Sequence, residues 1–224
     1  MIKNGWIQDK KIDGVPFRID PIPKSNKTSR PQYKMTAKYI NIHNTGNKAK
    51  GADAKAHTEY VDETKAYISW HFTVDDKEIF QELPIIESSW NAGDGRKGKG
   101  NRKGIAIEIC ENYGIDWGIA KENAIKLIAY LMKNVSTLYN KPVKPHQFFS
   151  GKYCPHRILD DGWNQFLLQI DKYKNNNVDS KIDRYKNIIQ DHCNYGGPEY
   201  LWKYLDKYSY SEYIYSKWAN SYKK

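Results

Sequence analysis

Gly104-Ile105-Ala106-Ile107-Glu108-Ile109-Cys110 is the stretch that decides the fold. It is nearly continuously apolar and rich in isoleucine, the pattern of a strand buried on both faces of a sheet that helices cover. One residue breaks the run, Glu108. An ionised carboxylate is costly in such a strand unless it serves a purpose or finds a partner. Three readings stay open from the residue alone: a general base, the partner of a lysine, or a strand with one solvated face.

Outward from that strand, the preceding Asn91 to Lys103 is Gly- and Lys-rich and is predicted to be a loop. Ser69 to Val74 and Ile79 to Leu83 read as two further strands, and residues 52–64 as a helix with Ala52, Ala56, Tyr60 and Thr64 along one side. Tyr39-Ile40-Asn41-Ile42-His43 alternates apolar and polar residues, a strand that stops at the turn cluster Asn44-Thr45-Gly46. Residues 1–37 are polar and broken by Pro16, Pro21, Pro23 and Pro31, which predicts an irregular lead-in. On the other side, Ala120, Ala124, Leu127, Ile128, Leu131, Met132, Val135 and Leu138 recur at three-and-four spacing and predict a long core helix over 120–138. Pro142 and Pro145 force an extended approach to His146, and Trp163, Phe166, Leu167 and Ile170 mark a last amphipathic helix. Strands interleaved with helices give an α/β domain, a central mixed β-sheet flanked by helices.

Asn175-Asn176-Asn177 is the expected linker, separating a domain of residues 1–174 from a small, mainly helical C-terminal domain of residues 178–224. The latter holds half of the tyrosines, and its charges nearly cancel, eight Lys or Arg against six Asp or Glu. Helical spacing is expected over 180–192 and 198–220, broken at Gly196-Gly197-Pro198.

The net charge of +10 therefore lies mainly in the first domain and suits a polyanionic partner: nucleic acid, a teichoic-acid-bearing wall or an anionic membrane surface. Helix-turn-helix, zinc-finger and RNA-binding aromatic motifs are missing, so nucleic acid is not the expected partner. No stretch approaches the roughly 18 apolar residues of a membrane span, so no membrane insertion is expected. The opening Met-Ile-Lys-Asn-Gly-Trp-Ile lacks the apolar run of a signal peptide, so synthesis in the cytosol is expected. Three widely spaced cysteines, Cys110, Cys154 and Cys193, do not make a disulfide framework.

Three residues that follow strands or extended segments share one chemistry. His43 closes a strand, His146 follows the Pro142–Pro145 segment, and Cys154 stands eight residues further on. Two imidazoles and a thiolate make a tetrahedral zinc set with a fourth position left for water, whose pKa such an ion lowers to about 7. Glu108 is then the candidate base, and Lys152, two residues before Cys154, a candidate for steadying an oxyanion. Single histidines and surface lysines most often do neither, so spacing by itself leaves the set open. Cys110 reads as a small core residue, and His57 and His156 as structural. His192 and Cys193, adjacent in sequence, do not make a metal pair.

Several blocks together resemble the type-2 N-acetylmuramoyl-L-alanine amidases, the family that includes T7 lysozyme and is related to the peptidoglycan recognition proteins. They are Arg30 to Thr36, Tyr39 to Thr45, Gly51 to His57, Ser69 to Asp76, Gly104 to Cys110 and His146 to Pro155, in that order. The likeness is strongest to endolysins of phages and prophages of Gram-positive bacteria. It implies one Zn²⁺ held by His43, His146 and Cys154, and Glu108 and Lys152 as the catalytic pair. It further implies a metal at the floor of a groove, with Asn44, Thr45 and Asn91 at substrate-contact positions and His71 either there or a hydrogen-bonded structural imidazole. The bond cut would join the lactyl group of N-acetylmuramic acid to L-alanine of the stem peptide in peptidoglycan. Asn91 stands where relatives often carry histidine, and Gln147 where an aromatic commonly follows the ligand histidine. A wall receptor on the same scaffold is the competing class, but receptors commonly lose the thiolate that Cys154 keeps. Without a signal peptide, the route to the host wall would be release through a holin-opened membrane. In the tail, Tyr200, Trp202 and Tyr204 suit stacking on sugar faces in a wall-binding domain, alongside the alternative of a small core or a dimer contact.

Overall fold

The computed structural model describes residues 1–175, 214 and 216–218. The chain divides into two units, Met1–Ile170 and Asp171–Lys224. The first unit is built on β1 (Ile2–Lys3), β2 (Trp6–Ile7), β3 (Lys11–Ile12), β4 (Val15–Ile19), β5 (Tyr39–Asn44), β6 (Phe72–Val74), β7 (Ile79–Gln81), β8 (Gly104–Ile109) and β9 (Val143–Pro145). Its helices are α1 (Ala54–Glu63), α2 (Lys99–Lys103), α3 (Trp117–Asn134), α4 (Gln147–Ser150) and α5 (His156–Asp161), and residues 163–175 are helical.

Seven strands form one sheet in the order β3-β4-β7-β6-β8-β5-β9. β8 lies between β5 and β6 and is parallel to both, β9 is parallel to β5, and β6 runs antiparallel to β7. The sheet is therefore mixed, as the strand patterns imply. Ile105, Ile107 and Ile109 of β8 and Ile40 and Ile42 of β5 are fully buried on one face. The other face carries Asn41, His43, Thr73, Ala106 and Glu108, because side chains alternate along a strand and parallel partners in register share a face. α1 packs on β6 and β7, starting from an Asp53 N-cap whose side chain accepts from Ala56 N. α3, capped by Asp116, packs on β3, β6 and β8 with Ala120, Ala124, Leu127, Ile128 and Leu131 buried. Phe166 and Ile170 of the last helical stretch are 2% exposed, as its amphipathic spacing requires.

Three expectations are corrected. Residues 1–37 are not an irregular lead-in: two tight hairpins join β1 to β2 and β3 to β4, and β4 adds to the main sheet beside β7. Asn4-Gly5 and Asp13-Gly14 have φ of 51°, 82°, 45° and 84°, the left-handed pairs that two-residue hairpin turns demand. Those Asn-Gly and Asp-Gly pairs were the available signal, outweighed by the prolines; Pro16 sits in β4 where its partner is the short edge strand β3. The 91–103 loop contains α2, whose entry is held by Asp94: its carboxylate accepts from Gly100 N at 2.6 Å and Asn101 N at 3.3 Å. The expected strand from Ser69 is also shorter, beginning at Phe72. The linker expected at 175–177 starts at the last residue of the described helix. Asn176 and Asn177, the pair His192–Cys193 and the tail aromatics Tyr200, Trp202 and Tyr204 lie outside the described residues.

Candidate metal centre and active site

The site is a row across the sheet. In the β5–β8 register His43 is paired with Glu108, and in the β6–β8 register Glu108 is paired with Thr73. β9 extends the row on the far side of β5: Ile42 is paired with Pro145, and His146, the next residue, donates its N–H to Ile42 O at 3.1 Å. His146 thus lands beside His43, ring centroids 4.6 Å apart. Cys154 is brought in by the turn after α4, where its carbonyl accepts from Gln147 N at 3.0 Å. Its Sγ lies 3.9 Å from His43 Nδ1.

The ligand atoms of His43, His146 and Cys154 all fall within 4.8 Å of one another, and all three residues are buried. Around a tetrahedral zinc, with bonds of about 2.0–2.3 Å, ligand atoms stand about 3.3–3.8 Å apart. Side-chain shifts of roughly an ångström would close this set on an ion. The orphaned atoms point the same way. Neither ring nitrogen of His146 completes a hydrogen bond, although the Ala92 carbonyl lies near the ring, and Glu108 Oε2 is buried without a partner. Buried polar groups are seldom left so unless something else binds them.

Burial holds the His43 pKa well below the ordinary histidine value, helped by His146 and Lys152, and lowers that of His146 as well. Both rings are therefore neutral at pH 7, the form that ligates a metal. Burial raises the Cys154 thiol to about 12, with Glu108 adding to it, so a cation is needed to make the thiolate. Burial also raises Glu108 to about 8, against which the Lys152 charge acts, while Glu111 adds to the rise. Lys152 itself is exposed beside this otherwise buried group. Glu108 keeps 13% of its side chain open and stands 3.8 Å from His43 Nδ1.

The expected substrate-contact positions fare differently. Asn44 is buried and tied into the frame, its Oδ1 accepting from Arg157 N at 3.1 Å at the start of α5. Thr45 is half-buried at the strand end, with Oγ1 unpartnered. His71 takes the structural one of its two readings: it is fully buried, its Nδ1 accepts from Ala106 N at 3.0 Å and its Nε2 donates to Glu87 O at 2.8 Å. With both nitrogens used and its pKa pressed down to about 4 by burial, it is a structural imidazole. Asn91 lies against His43, its Oδ1 3.2 Å from Nε2. His156, Cys110 and His57 are structural as expected. His156 Nε2 pairs with the buried Glu111 at 2.8 Å, Cys110 is fully buried, and His57 packs edge-on to Trp70. Glu111 went unnoticed in the sequence because a polar residue following a strand is ordinarily solvated.

Against known proteins, residues 33–157 match the family model described as N-acetylmuramoyl-L-alanine amidase, a span that takes in the whole row. The chain belongs to the N-acetylmuramoyl-L-alanine amidase family. Among curated members of this family it is similar to the amidase CwlH of Bacillus subtilis (strain 168), 52% identical over 153 residues that cover 68% of this chain and 60% of CwlH. It is also 52% identical over 144 residues to the amidase XlyA of the same organism, covering 63% of this chain and 47% of XlyA. The chain thus spans less than two thirds of these relatives. The solved catalytic domain of XlyA superposes with a TM-score of 0.66 at 47% identity, over 70% of this chain and 99% of that domain. The family's mixed sheet and flanking helices are those described above.

Proposed function

We propose that this chain is a zinc-dependent N-acetylmuramoyl-L-alanine amidase that hydrolyses the lactyl–L-alanine amide of peptidoglycan, an endolysin of a phage or prophage. The observation that carries the reading is the convergence of two neutral imidazoles and a thiol beside a largely buried carboxylate. His43, His146 and Cys154 would hold the zinc, which supplies Lewis acidity and an acidified water when bound. Glu108, whose Oε2 is unpartnered, would take a proton from the attacking water and return it to the leaving amine. Lys152, exposed at the rim, offers its ammonium to the negative charge that develops on the carbonyl oxygen. Burial alone would keep Glu108 protonated near neutral pH, and a cation held by the three ligands would favour the carboxylate that a base requires.

Residues 178–224 would carry the enzyme to the wall, with Tyr200, Trp202 and Tyr204 stacking on glycan, and the net charge of +10 favours a wall bearing teichoic acid. Release from the cytosol through a holin-opened membrane would bring it there; no helix among the described residues is long and apolar enough to cross a membrane.

The decisive experiment is digestion of purified sacculi with and without a chelator, the new chain ends identified by mass spectrometry. Free L-alanine amino termini, lost on chelation and restored by zinc, are expected. New reducing sugars, or cleavage indifferent to the chelator, would overturn the reading.

A further inference from the structure

His43 can offer zinc only one of its nitrogens, and the surroundings determine which. Nδ1 faces Cys154 Sγ at 3.9 Å and Glu108 Oε1 at 3.8 Å, whereas Nε2 faces Asn91 Oδ1 at 3.2 Å. In a neutral ring one nitrogen carries the proton and the other the lone pair. The ring is therefore a useful ligand only if Asn91 presents an acceptor and so draws the proton to Nε2.

An amide can point either way, so Asn91 needs a reason to present oxygen. Asn41, fully buried one turn of the pleat before His43 and on its face, supplies it by donating Nδ2 to Asn91 Oδ1 at 3.0 Å. Asn41 in turn is oriented by a group that cannot be inverted: the same Nδ2 donates to the Gly100 carbonyl at 3.0 Å, and a backbone carbonyl only accepts. Turning Asn41 over would set its oxygen against that carbonyl. At the other end, Asn91 Nδ2 donates to Ser89 Oγ at 2.7 Å, a hydroxyl free to receive it.

Two glycines make room for this relay. A Cβ on Gly104 would run into the Asn41 amide, and one on Gly100 would strike Ala92 Cβ and the Phe149 ring. Asp94, by capping Gly100 and Asn101, holds the short helix that aims the carbonyl.

We infer that Asn41 and Asn91 are positioning residues of the metal centre, a polarity relay from the Gly100 carbonyl to His43 Nε2 that presents the Nδ1 lone pair to zinc. The inference rests on the zinc reading for its purpose, but its first test does not. In the full-length, metal-free protein labelled with ¹⁵N-histidine, the His43 nitrogen shifts should report a neutral ring protonated at Nε2; a ring protonated at Nδ1 would overturn the relay. Zinc affinity, measured by competition with a chromophoric chelator, supplies the second test. Asn91→Leu, which keeps the volume and removes the acceptor, should lose on the order of 10- to 100-fold in affinity, the usual effect of removing a hydrogen bond to a ligand histidine. Asn91→Asp restores an acceptor and should bind within a few-fold of the unsubstituted chain. Equal affinity for Asn91→Leu, or an equal loss in Asn91→Asp, would refute the role. Failure of the unsubstituted chain to take up zinc would overturn the metal reading, leaving the ring tautomer to decide the relay.

Discussion

Two buried polar clusters share one face of the sheet, one closed under α1 and one open at the ends of β5, β8 and β9. In the closed cluster Glu82 Oε1 accepts from Thr58 at 2.9 Å and from Thr73 at 2.6 Å, and Thr73 accepts from Trp70 Nε1 at 2.6 Å. Burial raises the Glu82 pKa well above the ordinary value, against the hydrogen bonds from Thr73 and Thr58. Glu108, one register step from Thr73, is also buried and raised. Burial and a displaced pKa therefore do not separate a structural acid from a working one. What separates them is the company: Glu82 Oε1 takes the hydroxyls of Thr58 and Thr73, whereas beside Glu108 the ligand atoms of His43, His146 and Cys154 lie within 4.8 Å of one another and both His146 nitrogens are unpartnered.

That contrast can be broken most decisively at the open cluster. Cys154→Ser should abolish zinc retention and reduce wall hydrolysis to background, while the metal-free protein melts as the unsubstituted metal-free chain does. Metal analysis, dye release from labelled sacculi and calorimetry check the three parts. Next in size, Glu108→Gln should lower turnover by about two to four decades with zinc content unchanged. Glu82→Gln, made in the other buried carboxyl, should leave turnover where it was; a comparable loss there would mean that the clusters are one functional unit.

A smaller effect sharpens the closed cluster. Glu82→Ala leaves two buried hydroxyls without their acceptor and should cost about 1–3 kcal/mol of stability in urea denaturation, with zinc affinity unaffected. Smallest is a change on α1 at Asp62, whose pKa is raised to about 6 first by burial and then by Asp20 and Glu63. The folded state holds this proton more tightly than the unfolded chain, so stability falls as pH rises from about 4 through 6. Asp62→Asn should raise the melting temperature at pH 7–8, with the gain disappearing towards pH 4.

Much of this was legible in the chain. The isoleucine run of β8 and the alternation of β5 place a sheet with Glu108 and His43 in it, and the three-and-four spacing of α3 covers it. The closing block from His146 to Pro155 carries the other two candidate ligands and Lys152. The hairpins of residues 1–19 were legible too, in Asn4-Gly5 and Asp13-Gly14, but the prolines carry the opposite local signal. α2 was not legible, because Gly and Lys spacing says loop and only the Asp94 carboxylate, folded back on Gly100 and Asn101, makes a helix of it.

The sequence by itself determined which residue types occupy the strands and their ends, since alternation and burial follow from hydrophobic periodicity within a few residues. Spacing alone could not separate His71 from His43, two imidazoles in strand-like segments. Only the tertiary structure decided that one spends both nitrogens on the backbone, while the other turns Nε2 to Asn91 and Nδ1 to Cys154 and Glu108. The register of β5, β8 and β9, and a carbonyl arriving from residue 100, set that difference. Hydrogen-bond polarity between distant segments has no local signature in a chain, because it belongs to the pairing and not to either partner.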